Sequence, residues 1–100
     1  MIIYNVTVKI DNNAHADWLE WMKTTHIPDV MATGLFTENK ICKVLVDEED
    51  GTTYSIQYTC DNLQTLEKYQ RKFAPKLQQQ HTERYKGNFV AFRTLLEVVE

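Results

Sequence analysis

The stretch Trp18–Phe36, WLEWMKTTHIPDVMATGLF, carries the strongest local signals in the chain and sets the order of the elements around it. Apolar residues recur at three- and four-residue spacing in its first half, which predicts an amphipathic helix that begins at Ala14. Pro28 lacks an amide and restricts the residue before it, so the helix should end or bend near His26. Gly34 can then close a short second helical turn in the left-handed conformation. We therefore expect a corner at this point.

Strand patterns lie on both sides of that helix. Ile2–Ile10 alternates apolar and polar residues, as a strand with one buried face does. Leu35–Val46 and Thr53–Cys60 predict a hairpin with a tight turn at Asp50-Gly51, and Phe89–Val99 predicts the last strand. The sequence thus contains four candidate strands.

A second helix is predicted between the third and fourth strands. Asp61 and Gln64 have the spacing of a capping box, and Pro75 should kink or restart the helix. Its apolar stripe consists of Leu63, Leu66, Tyr69, Phe73, Leu77, His81 and Tyr85.

The element order βαββαβ predicts an α+β, ferredoxin-like fold, with a four-stranded antiparallel sheet and two helices on one face. One hundred residues suit a single domain over 1–100. A net charge of -3 gives no basic footprint for nucleic acid. The chain shows no apolar run long enough to span a membrane and no secretion signal, so we expect no membrane partner and a cytoplasmic location.

The two cysteines, Cys42 and Cys60, are predicted to be free thiols. A tight turn at Asp50-Gly51 would pair Cys42 with Thr59, which places the two thiols on opposite faces of the sheet. Neither their spacing nor that of the histidines suits zinc, and we expect no metal and no cofactor.

The sheet face opposite the helices is predicted to be small and uncharged near its middle, which favours a second protomer as its cover and hence a homodimer. Its residues are Thr7, Thr53, Ser55, Gln57 and Thr59, with apolar area added by Ile3, Phe89 and Leu95.

The corner WLEWMKTTHIPDVMATGLF and the late segment YKGNFVAFRTLLEVV together resemble a family of uncharacterised bacterial proteins in the dimeric alpha+beta barrel superfamily. The resemblance covers essentially the whole chain, and it implies a homodimer whose two sheets face each other. A histidine followed by proline after an aromatic helix is also similar to the EthD and NIPSNAP branches. Because the superfamily includes cofactor-free monooxygenases, isomerases and haem-degrading enzymes, it implies a small-molecule pocket without naming a reaction.

His26 is the main candidate for chemistry, because an imidazole at a helix break can act as general acid or base at neutral pH. The alternative is a histidine that caps the helix C-terminus. His81 is a candidate ligand-binding residue, with a satisfied, partly buried side chain as the alternative. Trp18, Trp21 and Met22 could line an aromatic pocket, although at least one tryptophan should belong to the core.

Arg93 interrupts the apolar last strand. If Phe92 and Leu96 face the helices, Arg93 points into the dimer interface, where it needs a carboxylate partner or an anionic ligand. We favour an ion pair across that interface, with Lys9 and Glu97 in the same network.

Two functions remain open. The first is a small-molecule binding protein or cofactor-free enzyme that binds an apolar or aromatic ligand and uses His26. The second is a non-catalytic interaction or regulatory module whose corner residues serve packing and dimerisation. An accessible cavity beside His26 would favour the first function, and a filled interior would favour the second.

Overall fold

The computed structural model describes the whole chain, Met1–Glu100. The elements are β1 (Ile2–Asp11), α1 (His15–Trp21), a π-helical segment (Met22–His26), α2 (Ile27–Ala32), β2 (Glu38–Lys43), β3 (Gly51–Cys60), α3 (Leu63–Lys72), α4 (Ala74–Tyr85) and β4 (Phe89–Glu97). The strands form one antiparallel sheet in the order β2-β3-β1-β4. The predicted ferredoxin-like fold is confirmed. None of the helices has both the length and the apolar character needed to cross a bilayer.

The core lies between the helices and one face of the sheet, which we call the helix-covered face. Alternate residues of the two central strands are buried there, as the period-two pattern predicts. They include Tyr4, Val8 and Ile10 from β1, and Tyr54, Ile56, Tyr58 and Cys60 from β3. The opposite side of the sheet has no helix against it, and we call it the open face.

The first helical arm does not end at His26; instead the π-helical segment ends there and α2 begins at Ile27, so the helix type changes at the predicted position. The backbone stays helical across Pro28 because the turn before it widens into the π-helical segment, and the amide of Ile27 bonds the carbonyl of Met22. A wider turn accommodates a proline that can neither donate an amide nor pack against the carbonyl one turn back. Pro28 lies in the first turn of α2, and Gly34 follows that helix with a φ of 77°. The predicted Pro-to-Gly second helical turn is confirmed.

The hairpin between β2 and β3 has a longer loop than predicted. Cys42 pairs with Ser55, where the sequence favoured Thr59. Gly51 is not in a turn but within β3, where a Cβ would lie 2.6 Å from the carbonyl oxygen of Ile10. Only glycine fits this close approach. Because the register shifts by an even number of residues, Cys42 keeps its predicted face, and Cys60 is buried on the other face.

The second helical arm restarts before Pro75 as predicted, with α3 ending at Lys72 and α4 beginning at Ala74. Its cap differs from the predicted one. The side chain of Asn62, not Asp61, accepts a hydrogen bond from the amide of Thr65 at 2.9 Å.

The last strand lies in the opposite phase to the predicted one. Val6 pairs with Arg93 and Thr7 pairs with Phe92, and directly paired residues share a face. Arg93 is therefore on the helix-covered side, and Phe92 is on the open face. The prediction failed because β4 is apolar at most positions, so its alternation does not fix the phase. Phe89 and Leu95 likewise lie on the helix-covered side; Val90, Phe92 and Leu96 supply the apolar area of the open face.

Lys9 lies on the open face and Arg93 on the helix-covered side, so the two cannot belong to one network at the open face. Lys9 instead pairs with Asp50 at 2.9 Å and with Glu48 at 3.6 Å. Because these two carboxylates come from the loop before β3, the acidic loop is held against the sheet at this point.

Candidate functional site

A small cavity lies between the helix-covered face and the helical arms. Its volume is about 50 Å³, and 11 of its 16 lining residues are hydrophobic or tyrosine. The remaining lining residues are His26, Gln78, His81, Thr82 and Arg93. Thr82 and Arg93 are exposed, which places them where the cavity opens to solvent. An apolar wall with a few convergent polar groups is typical of a ligand site.

His26 reaches this cavity from the end of the π-helical segment. Its Nδ1 atom is buried and makes no hydrogen bond with the protein. The capping alternative does not hold, because the helix continues past His26 and this nitrogen bonds no carbonyl. Burial lowers the pKa of His26 to about 4; Asp29 opposes this shift and Arg93 adds to it. His26 is therefore neutral at physiological pH.

His81 lies across the cavity wall on α4, with its ring centroid 5.8 Å from that of His26. Its Nε2 atom accepts a hydrogen bond of 2.8 Å from the indole N–H of Trp18. Because an indole nitrogen only donates, Nε2 must be unprotonated, and the neutral ring carries its proton on Nδ1. Burial, with smaller contributions from the neighbouring His26 and Arg93, lowers the pKa of His81 to about 4. The alternative of a hydrogen-bonded, partly buried histidine therefore holds for the Nε2 atom. The Nδ1–H group of the same ring remains free to donate a hydrogen bond.

The three candidates from α1 and the π-helical segment occupy different positions. Trp18 is fully buried in the core and acts on the cavity only through His81. Trp21 is partly exposed and stacks on His26 at a centroid distance of 5.0 Å, behind the cavity wall. Met22 is buried and lines the cavity itself. One tryptophan therefore belongs to the core, as expected, and the other holds the His26 ring.

Three tyrosines complete the polar lining, and the sequence did not single them out. Tyr4, Tyr58 and Tyr69 all line the cavity, and their rings cluster with centroids of Tyr4 and Tyr69 5.8 Å apart. Burial raises the pKa of both Tyr58 and Tyr69, so their hydroxyls stay protonated. Their positions on alternating strands and on a helical stripe predicted burial but not a shared cavity.

Arg93 reaches the same cavity from β4. Its Nε atom donates to the hydroxyl of Tyr4 at 3.0 Å, and Gln78 donates to that hydroxyl at 3.4 Å. The structure thus brings His26, His81 and Arg93 to one cavity, from three separate elements of the fold. No cluster of three or more histidine, cysteine or acidic side chains could hold a metal ion.

The chain belongs to the family described as "Domain of unknown function (DUF4286)", whose model matches residues 1–99. No curated protein sequence matches it.

Several solved structures share the fold. An ethyl tert-butyl ether d (EthD) family protein from Bacillus halodurans is similar over 99% of this chain and 100% of its own, with 12% identity and a TM-score of 0.71. A dimeric ferredoxin-like protein from an uncultured marine organism gives 13% identity and a TM-score of 0.71, over 100% of this chain and 96% of its own. SnoaB, a cofactor-independent oxygenase from Streptomyces nogalater, gives 10% identity and a TM-score of 0.65, over 99% and 94%. At these identities the likeness establishes the fold alone.

Proposed function

We propose that this protein binds a small molecule with an apolar or aromatic body at the cavity and that His26 acts on it as a general base without a cofactor. The observation that carries this proposal is the buried Nδ1 of His26, which has no partner in the protein and belongs to a residue of the cavity wall. Buried polar atoms are rarely left unpaired, and those that are often have a catalytic or binding role. Solved structures of the same fold include a cofactor-independent oxygenase.

The size of the cavity defines how such a ligand would bind. A volume of about 50 Å³ is well below the roughly 300 Å³ or more of a typical ligand pocket. Only a group of a few atoms fits inside, so the rest of the ligand lies at the opening beside Thr82 and Arg93. The cavity is open to solvent, which supports ligand binding over the alternative of a non-catalytic interaction module. An interaction module needs no cavity, and a filled interior would serve it equally well.

The pKa of His26 decides which half of acid–base chemistry is available. With a pKa of about 4, the imidazole is almost entirely unprotonated at neutral pH. The ring can therefore accept a proton, while the acidic imidazolium form that a general acid needs is almost absent, so only the base role is supported. Turnover that depends on this base should rise as pH increases through about 4 and then stay level.

The test begins with mass spectrometry of small molecules released from the natively purified protein. Those compounds and a library of small aromatic molecules are then screened for a ligand-dependent rise in melting temperature. We expect His26→Ala to abolish that rise while the ligand-free protein melts at nearly the same temperature. His15→Ala is the matched control, because His15 bonds Tyr54 at 2.7 Å and does not line the cavity.

Two results would count against the site. A ligand response that survives His26→Ala, together with a large loss of stability, assigns His26 a structural role. A response lost equally in His15→Ala and His26→Ala places binding elsewhere or makes it an effect of stability.

We further infer that the open face pairs with the same face of a second copy. Its edge strand exposes Val90 and Phe92 by 67% and 63%, and its one lysine on β1, Lys9, is already paired with acidic side chains. Exposed apolar side chains grouped on one surface are typical of homodimer interfaces. One solved structure of the same fold is that of a dimeric ferredoxin-like protein, which supports a dimer here.

Sedimentation at micromolar concentration tests the dimer. We expect a dimer for the wild type and at least about tenfold weaker association for Phe92→Lys, because an unpaired charge would be buried at the interface. Leu63→Lys, at a site 56% exposed on α3, should leave association unchanged. A wild-type protein that sediments only as a monomer would refute this interface.

A further inference from the structure

The lining of the cavity has an unusual charge balance for this protein. The whole chain has a net charge of -3, with 14 acidic residues against 11 basic ones. Yet the 16 lining residues include no aspartate, glutamate or lysine. Arg93 is the single lining residue that carries a full charge at neutral pH. Both histidines of the wall are neutral there, since burial lowers each pKa to about 4. The cavity therefore has a local positive charge.

The three arginines of the chain differ in what they bind. Arg71 lies 3.9 Å from Glu67, and Arg84 lies 3.5 Å from Asp17. Arg93 forms no ion pair with any carboxylate of the chain, and its Nε is instead held by the hydroxyl of Tyr4 at 3.0 Å. This bond fixes one edge of the guanidinium and leaves its two terminal nitrogens free to donate.

The other polar groups of the wall are also suited to donation. His81 has its acceptor nitrogen engaged by Trp18, so its free group is Nδ1–H. The hydroxyls of Tyr58 and Tyr69 are protonated and form no hydrogen bond with the protein. A wall with several donors and one cation complements an acceptor-rich, negatively charged group.

We propose that the ligand is a small monoanion, an aromatic or apolar carboxylate, and that Arg93 binds its carboxylate where the cavity opens. This inference rests on the proposed function. A single guanidinium matches the single charge and the two oxygens of a carboxylate, and a doubly charged phosphate would leave one charge uncompensated. A few atoms of the apolar body then enter the cavity that Met22, Val30 and His26 line, and the rest of the body stays at the opening.

Matched pairs of ligands test this assignment. Benzoate, phenylacetate and 3-phenylpropanoate are titrated at neutral pH against their primary amides, and the dissociation constants are measured by chemical-shift changes. We expect the acids to bind at least about tenfold more tightly than the amides, the strength typical of one charged hydrogen-bond pair. Arg93→Gln should remove that preference. Arg84→Gln should keep it, because Arg84 is paired with Asp17 and lies outside the cavity lining.

The two possible failures are distinct. Amides that bind as tightly as the acids would overturn the anion assignment and leave the cavity as a binding site. If neither series binds, both this assignment and the proposed function fail. A preference for acids that persists in Arg93→Gln would refute the role of Arg93.

Discussion

The two faces of the sheet are built from alternate residues of the same strands, yet they carry different chemistry. On the helix-covered face, large aromatic and aliphatic side chains surround a cavity with two neutral histidines. On the open face, the centre is made of short polar side chains that bond each other, as Ser55 does with Asn5 at 2.6 Å. No buried polar side-chain atom on this face lacks a hydrogen-bond partner, and the apolar edge strand beside these residues suits packing. The comparison assigns ligand chemistry to one face and assembly to the other.

The largest expected difference between the faces is in stability, and neighbouring residues of β3 can measure it. Ile56 is 1% exposed on the helix-covered face, and Gln57 lies on the open face. Ile56→Ala should lower the free energy of unfolding by about 2 to 5 kcal/mol, since it removes buried methyl groups and leaves a void. Gln57→Ala should change it by no more than about 0.5 kcal/mol. Urea unfolding of both variants provides the check, and similar losses would contradict the assignment of the core to one face.

A second difference should appear as the pH falls. The pKa of His81 is about 4 in the folded protein, against 6.5 for an ordinary histidine, so the unfolded chain binds a proton first. Stability from this residue is complete above about pH 6.5 and is lost as the pH falls toward about 4. The loss should be about 3 kcal/mol, from the size of the pKa shift. The groups whose charge affects the pKa of His81 are Arg93 and, once it is protonated at low pH, His26.

His81→Gln isolates this effect, because an amide oxygen can still accept the Trp18 bond but does not titrate near neutral pH. Urea unfolding at several pH values should show the wild type losing more stability than the variant over this window. Parallel curves for the two proteins would mean that His81 is not buried in its neutral form.

The smallest difference concerns the two tryptophans beside the histidines. Both contact His81, but only Trp18 donates a hydrogen bond to it. Trp18→Phe should cost about 2 kcal/mol, because it leaves Nε2 of His81 buried and unpaired. Nitrogen chemical shifts of the imidazole should show Nδ1–H as the sole tautomer in the wild type and a mixture in Trp18→Phe. Trp21→Phe should retain the wild-type tautomer; a wild-type ring protonated on Nε2 would refute the hydrogen bond.

Most of the fold follows from residue spacing alone. The alternation from Ile2 to Ile10 and the stripe from Leu66 to Tyr85 define the central strand and the second helical arm, and the structure retains both. Residue spacing did not predict which face of β4 is buried, because apolar residues occur on both faces of that strand. It also failed where a contact between residues distant in sequence determines the backbone conformation. Gly51 illustrates the second case, because its role depends on the carbonyl of Ile10 from another strand.

The candidate site was predictable only in part. His26 and Met22 were found because they lie at the Pro-containing corner, and His81 because it falls on the apolar stripe of the second helical arm. Tyr4 and Tyr58 were missed, since tyrosines on alternating strand positions read as packing residues. Their convergence on one cavity depends on strand order and helix placement, which spacing along the chain does not encode.

The central claim is that ligand binding belongs to the helix-covered face. A titration of isotope-labelled protein with the tightest-binding compound from the thermal screen, followed through backbone amide shifts, tests it most directly. We predict the largest shifts around Met22, His26 and His81, with little change at Thr7 and Ser55 on the open face. Shifts centred on Thr7 and Ser55, with His26 and His81 unmoved, would contradict the account.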